Sequence, residues 1–206
     1  MSTDIHGGIE FRHPRAGTDC YDGEPWVKAM DLWPLYDEQD YAAFGQLFGV
    51  RNSAGFRPLA TGRGLPDDLS SGLASSLREE DGSAMDDATW VTWSELAGLS
   101  PTAAPAHFVG RLTWTSDTWP PSFGQWLVPA QWPADVRDVT GPPPPGLDEV
   151  HRTTEWAVPT GTCRYEPLTA AAVLGEESHW PHVFAVMRAM AGRFGDDGVR
   201  LVVGFL

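Results

Sequence analysis

The stretch PHVFAVMRAMAGRFGDDGVRLVVGFL (residues 181–206) sets the fold class. Its first half places Val183, Val186, Met187, Met190 and Phe194 on one stripe of a helix that opens at Pro181 and stops at Gly195. Asp196, Asp197 and Gly198 then turn the chain. The closing run, Val199 to Leu206, is apolar at odd and even positions alike, as expected of a central strand covered on both faces. A helix that feeds a central strand implies a sheet with helices packed against it.

Elsewhere in the chain, period-two alternation marks further strands. Asp4 to Arg12 sets Ile5, Ile9 and Phe11 on one face and Asp4, His6, Glu10 and Arg12 on the other. His107 to Trp114 and Val150 to Val158 alternate in the same way, and Gly124 to Val128 reads as an edge strand ending before Pro129. The strands near 4–12, 107–114, 150–158 and 199–205 are expected to share one sheet. Among the helices, Asp37 is expected to cap one carrying Tyr41, Phe44, Leu47 and Phe48, with Gly49 as its stop. Pro66 opens a second, with Leu69, Leu73 and Leu77 on one stripe, and Thr92 with Glu95 forms the capping box of a third. The expected fold is α+β, a mostly antiparallel sheet with helices packed on one side, in a single compact domain over residues 1–206. The four prolines between Gly141 and Gly146 form a stiff spacer loop within it.

The net charge is −14, from 28 acidic against 14 basic residues. A field of that sign repels phosphate backbones and anionic lipid, so neither nucleic acid nor membrane is an expected partner. No basic region followed by an apolar one opens the chain, and no apolar run approaches a membrane span, so a cytoplasmic location is expected. Cys20 and Cys163 match no metal or redox spacing and read as two free buried thiols rather than a disulfide. Half of the acidic excess falls between Asp67 and Glu95, where Asp67, Asp68, Glu79, Glu80, Asp81, Asp86, Asp87 and Glu95 face Arg78 alone. That run is either a solvated face or a docking surface for a basic protein. Ten tryptophans suit packing first, and ligand pockets or interface anchors second.

Two places carry candidate chemistry. On the first strand, Asp4 or Glu10 could orient the His6 imidazole, and Gly8 between them leaves a gap for a ligand. The plain alternative is the solvated side of an antiparallel strand. Arg63, between Gly62 and Gly64, could grip a carboxylate or phosphate, or pair with Asp67 or Asp68 in the first turn of the following helix. Asp4, His6, Glu10, Arg63 and Trp90 are the candidate ligand-binding residues. Glu79, Glu80 and Asp81 join Asp67, Asp68, Asp86 and Asp87 as the candidate protein interface. His179 and His182 flank Pro181 at a helix start with no third ligand nearby, and no sequence signature calls for a metal or cofactor.

Several segments resemble a group of uncharacterised bacterial and phage proteins. They are Asp4, His6, Gly7, Ile9 and Glu10; Tyr41, Phe44, Leu47 and Gly49 to Arg51; Arg63 to Asp68; Trp93, Glu95 and Leu96; and Val199 to Val202. The resemblance spans the chain and implies one domain, but attaches no activity. In that group a histidine-containing turn precedes the segment matching Thr92 to Leu96, whereas residues 83–89 here contain no histidine. The expected function is a non-catalytic acidic binding protein for a protein partner or small polar ligand, of the immunity, antitoxin or counter-defence type. The alternative is a small-molecule enzyme using His6 with Asp4 or Glu10.

Overall fold

The computed structural model describes residues 3–78, 83–147, 153–176 and 178–206. The fold is α+β, built on two four-stranded antiparallel sheets. The first contains β1 (Ile5–Arg12), β2 (Trp26–Asp31), β3 (Asp86–Thr92) and β8 (Val199–Phe205), in the order β2-β1-β8-β3. The second contains β4 (Gly110–Ser116), β5 (Phe123–Val128), β6 (Thr154–Val158) and β7 (Gly161–Pro167), in the order β5-β4-β7-β6. The four strands expected to share a sheet therefore divide two and two. Alternation identifies a strand but not its partner. β7 alternates as cleanly as β6, with Cys163 and Tyr165 buried in turn with Thr162 and Arg164, yet nothing in the pattern says which strands it joins. Residues 150–152 of the expected 150–158 strand lie outside the described residues.

β8 is buried at every position, as a central strand must be. Its odd residues, Val199, Leu201, Val203 and Phe205, join Ile9 and Val91 in the main core under α1 (Tyr41–Phe48) and α6 (Trp180–Phe194). Phe44 of α1 meets Phe205 edge-on with ring centroids 5.3 Å apart, and Phe194 of α6 stacks on Phe11 at 4.4 Å. The cap of α1 is Asp40 rather than Asp37. Its carboxylate accepts from the amides of Ala42 and Ala43, leaving Asp37 in the preceding loop beside His179.

On the opposite face of the first sheet, Val202 packs with Leu73 and Leu77. The helix expected from Pro66 is only the short α2 (Ser71–Ala74), because residues 66–70 are held to the sheet by polar contacts from Arg200 and Glu10. α3 (Trp93–Ala97) carries the expected capping box.

The second sheet has one apolar face, which carries its own core. Leu112, Val128, Cys163 and Tyr165 meet Trp132, Leu147 and Val136 of α4 (Ala134–Thr140), with Trp114, Trp126 and Trp156 at the margin. The other face alternates into Thr115, Gln125, Glu155 and Thr162, all exposed. The proline-rich loop leaves the end of α4 and leads to Leu147 in the same apolar cluster as Val136. Leu127 and Phe108 reach back to the main core, as does Leu168, just before α5 (Ala170–Leu174). Both cysteines are free thiols, but only Cys163 is buried; Cys20, expected in the interior, is exposed in the β1–β2 connection. Among the described residues no helix is long and apolar enough to cross a membrane.

Candidate functional site

The site grows from one cross-strand pair. Glu10 of β1 stands directly opposite Arg200 of β8, on the face away from the main core. Neighbours in that register have their Cβ atoms about 5 Å apart, so their charged ends meet. Arg200 donates to Glu10 Oε2 at 2.8 Å from Nε, with Nη2 also 2.8 Å away. Both side chains are buried, Arg200 at 4% exposure and Glu10 at 0%. A buried charge is tolerable only when paired and fully hydrogen-bonded, and here the second layer does that. Arg200 Nη1 donates to Asp68 Oδ1 at 2.8 Å and Nη2 to the Asp68 carbonyl at 3.2 Å. Trp26 Nε1 donates to Asp68 Oδ2 at 2.8 Å, and the Ser70 amide donates to Glu10 Oε1 at 2.9 Å. The guanidinium also lies over the Trp26 ring, 3.9 Å from its centroid.

Arg63 repeats the theme one strand away. It donates twice to Glu95, at 2.6 and 2.9 Å, and sits 5.0 Å from the centroid of Trp90. Arg200 approaches the same Trp90 ring at 5.9 Å. Trp26, Arg200, Trp90 and Arg63 thus alternate as a ladder of rings and cations across the sheet. The loop that brings Arg63 in turns through Gly62 and Gly64, at φ of 60° and 71°, a conformation that side chains with a Cβ rarely adopt. Burial pushes the Asp68 carboxyl up, but the hydrogen bonds and charge of Arg200 and the Trp26 bond outweigh it and hold the group below the ordinary aspartate range. The bidentate Arg63 bond outweighs burial at Glu95 in the same way and holds it low.

Over this ladder lies an open cleft of about 540 Å³, bounded by Arg12, Arg63, Asp67, Asp68, Asp197 and the two tryptophans. The structure brings four sequence candidates together here: Arg63, Trp90, Asp67 and Asp68. Arg63 pairs with Glu95 rather than with Asp67 or Asp68, and those two aspartates stand in a loop rather than in a helical first turn.

The other candidates fall elsewhere. Glu10 is beneath the cleft instead of on a solvated face. A Cβ at Gly8 would come within 2.5 Å of the Met30 carbonyl and 2.7 Å of Leu73, so the expected ligand gap is already filled. His6 is exposed opposite Gly204, about 13 Å along the strand from Glu10, and Asp4 accepts a hydrogen bond from Gln39. No constellation joins His6 to either carboxylate. Asp86 pairs with Phe205, at the far end of β3 from Thr92 and Arg200, so the acidic candidates do not form one patch around the cleft. Asp87 sits in the β-bulge that follows, at φ 46°, a left-handed conformation that aspartate tolerates better than most residues. Glu79, Glu80 and Asp81 lie outside the described residues.

The chain matches no family model, no curated protein and no solved structure. The cleft is therefore read from its own geometry. Sequence reasoning misses Trp26, Arg200, Arg12 and Asp197 as its walls. Only Arg200 carries a signal, as the single charge in an otherwise apolar central strand. Among the described residues no group of three or more potential ligands could hold a metal ion.

Proposed function

We propose that this is a cytoplasmic, non-catalytic acidic binding protein whose tryptophan–arginine cleft receives a cationic side chain of a protein partner. The observation that carries this reading is the cleft's charge. Asp67, Asp68 and Asp197 line it and Glu10 and Glu95 hold its arginines, so five carboxylates meet three guanidinium groups. Asp67 and Asp197 have no cationic partner among the described residues and are exposed at the rim. An incoming guanidinium or ammonium would find those carboxylates, flat indole walls and a strongly acidic chain steering it inward. Recognition also fits the ladder better than catalysis does. Arg63, Arg200, Asp68 and Glu95 are engaged with one another, and Asp68 and Glu95 are held ionised rather than poised for proton exchange. A partner met through such charges suits an immunity, antitoxin or counter-defence role.

Tryptophan fluorescence and calorimetry with N-acetyl-arginine amide, then with an arginine-bearing peptide, test the reading. Binding should weaken with added salt and fall by about tenfold in Asp67→Asn/Asp197→Asn. Cationic probes that ignore both the salt and the double substitution would overturn it.

A further inference from the structure

A second cavity lies where the β1–β2 connection meets the end of α6. It has a volume of about 620 Å³ and is walled by Phe11, His13, Arg15, Tyr21, Arg193 and Phe194. Its chemistry is the reverse of the cleft's. Arg15 and Arg193 both line it, and neither has a carboxylate partner among the described residues. Other surface arginines such as Arg12 and Arg188 also lack a carboxylate among the described residues. What marks this pair is that both guanidinium groups line one cavity from two distant segments, with no acidic side chain among its walls. The helix dipole accounts for Arg193 in the last turn of α6, but not for Arg15 arriving from a different segment.

The walls are aromatic in pairs. Phe11 and Phe194 stack with centroids 4.4 Å apart, and His13 and Tyr21 stack at 4.0 Å with their planes within 8°. The connection is ordered before anything binds. The His13 amide donates to the Pro25 carbonyl at 2.9 Å, Tyr21 Oη to the Glu24 carbonyl at 2.9 Å, and Thr18 Oγ1 to the Arg15 carbonyl at 2.8 Å. The Arg15 amide donates to His13 Nδ1 at 3.2 Å, which leaves the neutral imidazole carrying its proton on Nε2 as one more donor. Guanidinium groups provide forked donors for an oxyanion, and paired ring faces provide stacking surface for a planar group.

We propose that this cavity binds a small aromatic anion, a planar ring carrying a phosphate or carboxylate. The two guanidinium groups hold the anion, and the aromatic pairs hold the ring. Phenyl phosphate is the minimal probe, with benzoate as its carboxylate counterpart and inorganic phosphate and phenol as the separated halves. In calorimetric titrations at low ionic strength, phenyl phosphate should bind about tenfold or more tightly than either half. Arg15→Gln and Arg193→Gln should each weaken it by about tenfold, with melting temperature lowered by no more than about a few degrees. Both side chains are exposed, and Arg193 gives up only its place at the end of α6 and over Phe194. Arg111→Gln, on the second sheet, should leave it unaltered. The proposal is overturned if phenyl phosphate fails to bind, if inorganic phosphate binds equally well, or if the Arg15→Gln/Arg193→Gln double variant binds as the unaltered chain does. Amide shifts on titration should centre on residues 13–21 and 193–194, and shifts confined to the tryptophan–arginine cleft would equally overturn it.

Discussion

The two sheets solve the same problem with different materials. The first is covered on both faces, and on one of them it buries an arginine and a glutamate side by side in the register of β1 and β8. The second is covered on one face by tryptophans and a two-turn helix, and its other face alternates into threonine, glutamine and glutamate. A one-sided sheet needs only period-two patterning. A two-sided sheet that also carries a charge must supply that charge with partners from several segments, and those partners form the walls of a cleft. The site therefore lies on the more heavily buried sheet.

The contrast is widest at Glu10. Glu10→Ala leaves Arg200 buried with only half-exposed Asp68 for a partner and should cost about 3–5 kcal/mol. Denaturant melts would show it as a lower midpoint at unchanged slope. Glu10→Leu/Arg200→Met removes both charges and should recover much of the loss, since an apolar pair does not need the bonds it forfeits. A double variant no more stable than Glu10→Ala would show that the network is worth more than the hydrophobic pair.

Leu112→Ala asks whether the second sheet stands alone. The side chain is fully buried, so about 2–5 kcal/mol should be lost to the missing contacts and the cavity. Leu127, Phe108 and Leu168 tie this region to the main core, so calorimetry should show one transition moved down as a whole. An early transition split from the main one would mean that the second sheet unfolds separately.

These ties also bear on what is legible in the sequence. β8 and α6 are, because one carries no polar alternation and the other has a clean stripe between Pro181 and Gly195. β2 and β3 are not, because Lys28 interrupts the apolar run of one and Asp86 and Asp87 open the other inside the acidic run, until a neighbouring strand gives them a place. Arg63, Trp90, Asp67 and Asp68 are visible as polar or aromatic residues in suggestive company. Their gathering point is hidden, because it depends on Arg200, which lies 132 residues from Asp68. Glu10 is misread for the same reason. Alternation assigns it a face, but only tertiary pairing tells whether that face is dry.

Acid should destabilise the fold in part through the charge network of the first sheet. Asp68 and Glu95 both have carboxyls held below their ordinary values, so each contributes stability that is present above its unfolded pKa and lost as pH falls through the folded one. The melting temperature should begin to drop near the usual carboxylate range and continue falling below it. Asp68→Asn should flatten the acid limb while lowering stability at neutral pH. An acid limb that keeps its full steepness in Asp68→Asn/Glu95→Gln would assign the loss to other carboxylates.

The finest test makes one substitution twice. Thr89 and Thr162 both stand in strands, and valine keeps the β-branched shape that strands favour, so shape is held constant. Thr89, in the first sheet, is fully buried and donates to the Ala60 carbonyl at 2.8 Å. Its hydroxyl ties the loop after α1 to β3, and valine would leave that carbonyl without the Thr89 donor in a dry setting, at about 1–3 kcal/mol. Thr162, in the second sheet, is exposed on the polar face, where water satisfies the hydroxyl before and after folding. Thr162→Val should therefore stay within about 0.5 kcal/mol of the unaltered chain. If the two variants melt alike, the faces do not differ in the way their burial implies. If Thr162→Val proves the more costly, the polar face of the second sheet is covered by something other than solvent.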